Sequence, residues 1–370
     1  MTNITFVLAV YNKLDLTKES YKQIRDVYPL TPLSICSGGS TDGTEEWLLS
    51  LKDNNLKFLH IKERISFSET YNNAVNMVET DKLVLIHNDM IIGEGFLESI
   101  ERLLEKDMVL SYTTIEPPIF SGHNRPGKII LDYGSNFNNF DYKKFETYVK
   151  ENNKKDFLHD GAGFFMSCYK KTFQDIGGFD GNTFFPCFCE DDDFLIRAKL
   201  NGYKLKTCES AITYHFVSQT SRFSDEMINK REKIELCSNK NFIRKWGVPI
   251  SVFNMLEYWN NDFFTYLNFN LGLVTNDKNL SIQLEPFFNK INCHGYIPEE
   301  YIKSEQESTK INLHSKYVNV NDVDVLVSLS SIFTQEDYEN LIKLRVILPN
   351  YSVGLYEIGN MRIEIINNLS

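Results

Sequence analysis

The sequence predicts an α/β protein whose central sheet is mostly parallel and carries helices on both faces. Short apolar runs such as ITFVLAV (4–10) and KLVLIH (82–87) alternate with helical periodicity over the first hundred residues. Apolar runs without polar alternation are typical of strands that are buried on both faces. A glycine-rich turn, SGGSTDGT (37–44), follows the second run. Turns at the carboxyl ends of parallel strands are where such sheets bind ligands.

Each element of the first third can be assigned in chain order. The pattern predicts strands over 4–10, 33–36, 56–61 and 82–87, and helices over about 16–27, 44–51 and 68–78. Three turns then follow predicted strands, namely YNK (11–13), SGGSTDGT and HNDM (87–90). We expect these three turns to lie together at one edge of the sheet.

The remainder divides into two parts. From about 107 to 160 the pattern loosens around the loop EPPIFSGHNRPGK, and order returns with 161–170, an acidic segment and 211–221. We therefore predict a first domain over 1–221 and a smaller α/β region over 222–370. That region is expected to hold a long helix over 223–246 and a strand–helix–strand unit over about 323–358, in an accessory or partner-docking role.

Composition narrows the class of function. The chain has 370 residues, 42% of them hydrophobic, and a formal charge of −11, which argues against a nucleic-acid partner. No apolar run approaches the length of a transmembrane helix, and the start of the chain lacks the pattern of a signal peptide. Seven cysteines, mostly within apolar runs, indicate buried reduced thiols. We expect a protein of the cytoplasm or of the inner membrane face.

Four consecutive carboxylates, EDDD (190–193), precede a helical pattern. A local explanation makes Asp191 the cap of a helix whose first turn holds Asp192 and Asp193, where negative charge complements the helix dipole. That explanation leaves Glu190 without a role. A catalytic site is the alternative, because crowding raises the pKa of a carboxylate toward the range that suits a general base.

Several motifs in order resemble the inverting family 2 glycosyltransferases of GT-A fold. The motifs span residues 3–221 and are VLAVYNK, SGGSTDGTEEW, YNNAV, LVLIHNDM, GAGFFMSC, GGFD, EDDDFLIRAKLNGY and YHFVSQTS. The resemblance implies a Rossmann-like GT-A domain that transfers a sugar from a nucleotide-sugar donor. UDP is the favoured nucleotide, and the acceptor is a hydroxyl of a glycan, a lipid-linked sugar or a protein.

The resemblance also implies roles for the acids. Asp191 matches the general base that deprotonates the acceptor, with Glu190 beside it. Asp89 matches the carboxylate that holds a divalent cation, Mn²⁺ or Mg²⁺, and His215 matches a histidine that joins the metal or the diphosphate. The first acid of the usual Asp-x-Asp motif is absent, and His87 or Asn88 stands in its neighbourhood.

The remaining implied residues surround the donor. Those assigned to nucleotide binding are Ala9, Val10, Tyr11, Asn12, Ser37, Gly38, Asn72, His87 and Asn88. Those assigned to close approach of the donor sugar and the acceptor are Gly161, Ala162 and Gly163. Ser37 stands where the family has an aspartate, and a hydroxyl accepts a hydrogen bond less strongly than a carboxylate. Asn72 has a structural alternative as a side chain that bonds nearby backbone.

Two other functions remain open on the sequence. A catalytically silent module that binds a sugar nucleotide is consistent with the missing first acid and with Ser37. A nucleotidyltransferase would share the sheet and the metal chemistry. However, AVYNKLDL lacks the glycine-rich phosphate loop with Arg and Lys that is typical of those enzymes.

Overall fold

The computed structural model describes residues 3–118, 125–217, 229–253, 269–329 and 332–369. It divides the chain into two compact units, Met1–Glu232 and Lys233–Ser370. The start of the helix predicted over 223–246 lies outside the described residues, and the described helix spans Arg231–Trp246. All seven cysteines are free thiols.

The strands of the first unit are β1 (Ile4–Val10), β2 (Leu33–Gly38), β3 (Leu56–Ile61), β4 (Lys82–Ile86), β5 (Met90–Ile92), β6 (Met108–Glu116), β7 (Lys128–Ile130), β8 (Leu158–Asp160), β9 (Met166–Tyr169) and β10 (Lys204–His215). Its helices are α1 (Leu14–Val27), α2 (Thr44–Ser50), α3 (Phe67–Asn76), α4 (Phe96–Leu103), α5 (Tyr142–Asn152), α6 (Lys170–Ile176) and α7 (Glu190–Leu200). The seven elements predicted between 4 and 87 are all present, each within about three residues of its predicted ends.

The first unit forms one ten-stranded sheet. Its strands run in the order β3-β2-β1-β4-β9-β6-β10-β5, with β7 beside β6 and β8 beside β10. The pairs among β1 to β4 are parallel, and so is the pair of β6 with β10. Strand β9 runs antiparallel between β4 and β6. The parallel strands place the turns after β1, β2 and β4 at one edge, as expected.

Strand β6 was not predicted, although all nine of its residues are buried. Its sequence, MVLSYTTIE, contains one serine and two threonines, whose small hydroxyl side chains weaken the apolar pattern. Ser111 bonds the carbonyl of Gly163 at 2.9 Å, and Thr113 bonds that of Cys208 at 3.0 Å. Burial of these hydroxyls is therefore matched by hydrogen bonds to neighbouring backbone.

The second unit has its own sheet and core. Its strands are β11 (Leu271–Thr275), β12 (Lys290–Asn292), β13 (Val325–Leu329), β14 (Gly354–Ile358) and β15 (Met361–Ile365). Its helices are α8 (Arg231–Trp246, which begins at the end of the first unit), α9 (Ile250–Phe253), α10 (Lys278–Gln283), α11 (Glu299–Gln306) and α12 (Gln335–Ile347). The predicted strand–helix–strand is β13, α12 and β14, and the unpredicted β15 pairs antiparallel with both strands.

The second unit is packed around an apolar cluster and a buried ion group. Leu273, Val325 and Ile363 are fully enclosed in the apolar cluster. Beside them, the Glu285 carboxylate is 0% exposed and contacts Arg244 at 2.6 Å and Lys316 at 2.5 Å. A carboxylate with two cationic partners meets the requirement that buried charges be paired.

Candidate metal and carboxylate site

Backbone and side chains join the turns after β1 and β2. The backbone N–H of Thr41 donates to Asn12 Oδ1 at 2.9 Å, and the N–H of Asn12 donates to Ser40 Oγ at 2.9 Å. Asp42 accepts from the backbone N–H of Leu14 at 2.7 Å, at the first residue of α1. Asn12 and Asp42 therefore fix the shape of the turns, and the nucleotide contact of Asn12 stays a prediction.

His87, Asp89 and His215 meet at the ends of β4 and β10. One possible ligand atom from each lies within 4.8 Å of the others. His215 Nε2 is 3.3 Å from Asp89 Oδ1, and His87 Nδ1 is 3.8 Å from the same oxygen. Three donors of this kind on one spot can hold a divalent cation.

His87 takes the position of the missing first acid. Its ring lies with Asp89 and His215, and the nucleotide contact expected of His87 and Asn88 stays a prediction. Burial lowers the pKa of His87 to about 4, which keeps the imidazole neutral as a metal ligand requires. Among the described residues, His87 Nε2 has no hydrogen-bond partner.

His215 lies between two carboxylates. Its Nδ1 is 3.0 Å from Glu116 Oε1, opposite the contact of Nε2 with Asp89. Burial alone would lower the pKa of His215, but Asp89 and Glu116 outweigh burial and raise it to about 9. The same burial would raise the pKa of Glu116, yet His215 and two nearby cations hold it well below its usual range. The Glu116 carboxylate is therefore ionised.

The second acidic group forms the first turn of α7. The helix begins at Glu190 and its N-cap is Cys189, so the prediction that Asp191 caps the helix is wrong. All four carboxylates, 190–193, lie in the first turn, where the helix dipole favours negative charge. Asp193 is fully buried and pairs with Arg197 at 2.8 Å. The helix ends at Leu200, before Asn201 and Gly202, as predicted.

Burial and crowding raise the pKa of three of these acids. Burial is the largest cause for Glu190, Asp191 and Asp192, and neighbouring carboxylates add to it for Glu190 and Asp192. Glu190 is 5% exposed, and its Oε2 has no hydrogen-bond partner among the described residues. Asp191 is only half-buried, so it combines a raised pKa with access to solvent.

The metal group and the acidic turn face common neighbours. Tyr71 packs beside His87. Burial raises the pKa of Tyr71, and the charges of Asp89 and Glu190 raise it further. The Arg125 charge acts on His87 and also opposes the rise in the pKa of Asp191. The Tyr71 ring also packs against Phe179, which packs against Phe194 of α7, so a chain of packed rings joins the metal group to the helix that begins with the acidic turn.

Tyr11 lies half-buried at the end of the β1 turn, next to an arginine that sequence reasoning missed. The Arg64 guanidinium lies 3.3 Å from the centre of the Tyr11 ring, and Arg64 Nη1 bonds the carbonyl of Gly38 at 3.3 Å. One face of Tyr11 is therefore covered by a cation. A base would stack on the other face or on the guanidinium itself. Ala9 and Val10 are buried in β1 and offer backbone groups.

Three assigned nucleotide residues have their polar atoms occupied within the protein. Ser37 is fully buried, donates to Ser40 at 2.8 Å and lies 3.1 Å from His60 Nδ1. The Asn72 amide bonds both the N–H and the carbonyl of Phe179, and Asn88 donates to a threonine of α1 at 3.0 Å. These contacts give Asn72 and Asn88 structural roles. They also direct the Ser37 hydroxyl away from the solvent side.

Gly161, Ala162 and Gly163 lie between β8 and β9, half-buried. Gly161 has a φ of +96°, and a Cβ there would meet Pro126 at 3.0 Å. A Cβ on Gly163 would lie 3.7 Å from Arg125 Cδ. The segment therefore runs against the loop that follows β6, whose Arg125 faces both acidic groups.

Sequence reasoning missed Glu116, Arg125 and Lys128. All three belong to EPPIFSGHNRPGK, which the pattern marks as a loop. The available signal was two cations placed shortly after an acid at the end of an apolar run. That signal is weak, because loops are commonly charged.

A family comparison matches residues 5–173 to the model described as Glycosyl transferase family 2. A comparison with curated protein sequences gave no match. Among the described residues, no helix is both long and apolar enough to cross a bilayer.

Three solved structures illustrate the similarity. Mannosyltransferase PcManGT from Pyrobaculum calidifontis, in complex with GDP-Man and Mn²⁺, has a TM-score of 0.44 and 15% identity, covering 71% of this chain and 70% of its own. GalNAc-T7 with UDP, GalNAc and Mn²⁺ has a TM-score of 0.43 and 8% identity, covering 70% and 52%. S. aureus TarS 1–349 has a TM-score of 0.44 and 10% identity, covering 98% and 97%.

Proposed function

We propose that the chain, whose residues 5–173 match the model of glycosyl transferase family 2, is a metal-assisted, inverting glycosyltransferase of GT-A fold. The donor is a nucleotide-sugar, with a UDP-sugar first among the candidates. The acceptor is a hydroxyl of a glycan, a lipid-linked sugar or a protein. The observation that carries the proposal is the group His87, Asp89 and His215, which packed rings join to the helix that begins with the acidic turn.

Asp191 is the proposed general base. It is half-buried at the start of α7, and burial raises its pKa above the ordinary value, which makes its carboxylate a stronger base. Its carboxylate accepts the proton of the acceptor hydroxyl as that oxygen attacks the anomeric carbon. The bond from the anomeric carbon to the diphosphate oxygen breaks on the opposite side, and a single displacement of this kind inverts the configuration. Glu190 lies directly before Asp191 in the same turn, where burial and the neighbouring carboxylates raise its pKa.

His87, Asp89 and His215 are the proposed ligands of the cation. A bound divalent cation neutralises the charge that develops on a departing diphosphate. Two imidazoles with one carboxylate form a set that suits Mn²⁺ better than Mg²⁺, because Mg²⁺ prefers oxygen ligands throughout. In both histidines Nε2 is buried and has no hydrogen-bond partner among the described residues, so each Nε2 can serve as a ligand atom for a cation.

The donor is proposed to lie along the turns after β1 and β2. Tyr11 with Arg64 offers a stacking surface for the base, and the backbone of Ala9, Val10 and Gly38 lines the same turns. The segment Gly161, Ala162 and Gly163 is proposed to let the sugar and acceptor approach the backbone, because it carries almost no side-chain bulk.

The test begins with the donor. Thermal shifts of the full chain with UDP-, GDP-, dTDP- and CMP-sugars, each with and without Mn²⁺, identify the nucleotide. Turnover is then read as nucleoside diphosphate released in the presence of candidate acceptors. A chain that binds a donor but releases no diphosphate with any acceptor would be the silent module instead.

Asp191→Asn is expected to lower turnover by about 10² to 10⁴ while donor binding is retained. Asp192→Asn is the matched control, since Asp192 is an equally half-buried acid of the same helical turn. We expect the control to keep most of its activity. Equal turnover in the Asp191 variant and the wild type would remove Asp191 from the role of base.

A further inference from the structure

Glu116 stands at the centre of the charged network beside the metal group. It is the last residue of β6, is 4% exposed, and has three cationic neighbours. Its Oε1 is 3.0 Å from His215 Nδ1 and 2.6 Å from Arg125 Nη2, and its Oε2 is 3.1 Å from Lys128 Nζ. A carboxylate buried at this depth requires such partners.

The contact with His215 determines which ring nitrogen faces the metal group. When Nδ1–H donates to Glu116, the other nitrogen, Nε2, is directed at Asp89 at 3.3 Å. Metal-binding histidines commonly have a carboxylate on the second nitrogen, and that carboxylate fixes both the tautomer and the ring orientation. The ring of His215 also packs against Phe165, with ring centroids 4.7 Å apart and ring planes at 65°.

The contact with Arg125 fixes a cation beside both acidic groups. Arg125 Nη2 also donates to Thr114 Oγ1 at 2.5 Å, and its guanidinium lies over the Phe165 ring at 4.7 Å. Glu116 and Thr114 belong to the same strand, so they anchor the loop after β6 to the sheet.

We propose that Glu116 is a positioning residue of the active site, which directs His215 Nε2 toward a divalent cation shared with Asp89 and His87 and pins Arg125 beside that cation. The inference rests on the proposed function, because it assumes the metal group of that site. Glu116 itself touches neither the cation nor the substrate. It acts through His215 on one side and through Arg125 on the other.

The test measures the affinity of the full chain for Mn²⁺ alone. Binding is monitored as the loss of the free-Mn²⁺ signal in electron paramagnetic resonance. Glu116→Gln is expected to weaken Mn²⁺ binding by about 10- to 100-fold. Glu209→Gln is the matched control, because Glu209 lies on the same strand, β10, as His215 and contacts an exposed histidine, His159, at 2.5 Å. The control is expected to bind Mn²⁺ as the wild type does.

A second comparison separates positioning from general support of the fold. Lys128→Met removes a cation from Glu116 but leaves its bond to His215, so Mn²⁺ binding is expected to stay within about threefold even if the unfolding temperature falls. The charge-balanced double variant Glu116→Gln/Lys128→Met serves if Glu116→Gln alone does not fold. It is expected to bind Mn²⁺ as weakly as the single Glu116 variant should.

The outcomes are distinct. Wild-type affinity in Glu116→Gln, or in the double variant, would overturn the positioning role while leaving the proposed transferase intact. An equal loss in Lys128→Met would also overturn it, because the effect would then follow the stability of the loop. A wild-type chain that does not bind Mn²⁺ would overturn both this inference and the metal site on which it rests.

Discussion

The strongest prediction about the acidic turn concerns Arg197, which ties α7 to the turn after α6. Its guanidinium donates to the carbonyl of Ile176 at 2.6 Å and to that of Gly178 at 2.7 Å. It also forms a two-point pair with Asp193, with contacts of 2.9 and 2.8 Å. Arg197→Met keeps the aliphatic stem but removes every one of these bonds.

The size of the expected stability loss in Arg197→Met follows from the burial of the pair. Asp193 is 0% exposed and Arg197 is 18% exposed, so the variant leaves a buried carboxylate without its cationic partner. Breaking a buried pair costs about 3 to 5 kcal/mol, and the partial exposure of the arginine favours the lower end, about 3 kcal/mol. For a unit the size of Met1–Glu232, that loss corresponds to a fall in Tm of about 6 to 12 °C.

Differential scanning calorimetry of the full chain measures this loss. Lys171→Met is the matched control, because Lys171 and Asp175 form the same spacing of pair at 2.8 Å with the lysine 82% exposed. Its removal is expected to cost under about 0.5 kcal/mol. If Arg197→Met shifted the transition of the first unit no further than Lys171→Met, the buried pair would not hold α7 in place.

Two further predictions concern the second unit. Burial alone would raise the pKa of Glu285, but Lys316 and Arg244 outweigh burial and lower this pKa to about 2. The Glu285 carboxylate therefore stabilises the unit fully above a pH of about 4.5, and its contribution declines as the pH falls toward 2. Glu285→Gln should therefore lower the stability measured in urea at pH 7 and flatten its decline between pH of about 4.5 and 2; an unchanged pH profile would contradict the assignment. Asp337 is fully buried at the start of α12 and accepts hydrogen bonds from the backbone N–H and the side-chain amide of Asn360, at 2.7 and 2.8 Å. Asp337→Asn should lower the free energy of unfolding by about 2 kcal/mol in the same urea assay. A loss under about 0.5 kcal/mol would show that the contacts to Asn360 contribute little.

Local patterns in the sequence predicted the elements that position the site. Apolar runs and turn residues identify β1 to β4 and the helices between them, because the periodicity of a strand or helix is written in neighbouring residues. The helix of the predicted strand–helix–strand unit begins with a capping box of Thr334 and Asp337, which is also a pattern of neighbouring residues. The acids at Asp89 and Asp191 likewise stand out by their place after a strand and before a helix.

Prediction from the sequence was least specific where a polar side chain had a choice of partners. Asn72 has the residue type and place of a nucleotide contact, yet its amide bonds the backbone of a residue 107 positions away. Ser37 turns its hydroxyl to Ser40 and His60 rather than outward. Each buried polar atom must find a partner, and which partner is nearest depends on how the strands are ordered.

The sequence by itself determined the order of strands and helices in the first hundred residues, the chemistry of the acidic segments, and the edge of the sheet at which the turns would meet. Only the tertiary structure decided that His87 takes the place of the missing acid and that Glu116 bonds His215 across 99 positions of chain. The physical reason is that periodicity is a property of adjacent residues, whereas the partner of a buried charge is chosen by strands that become neighbours only when the sheet is assembled.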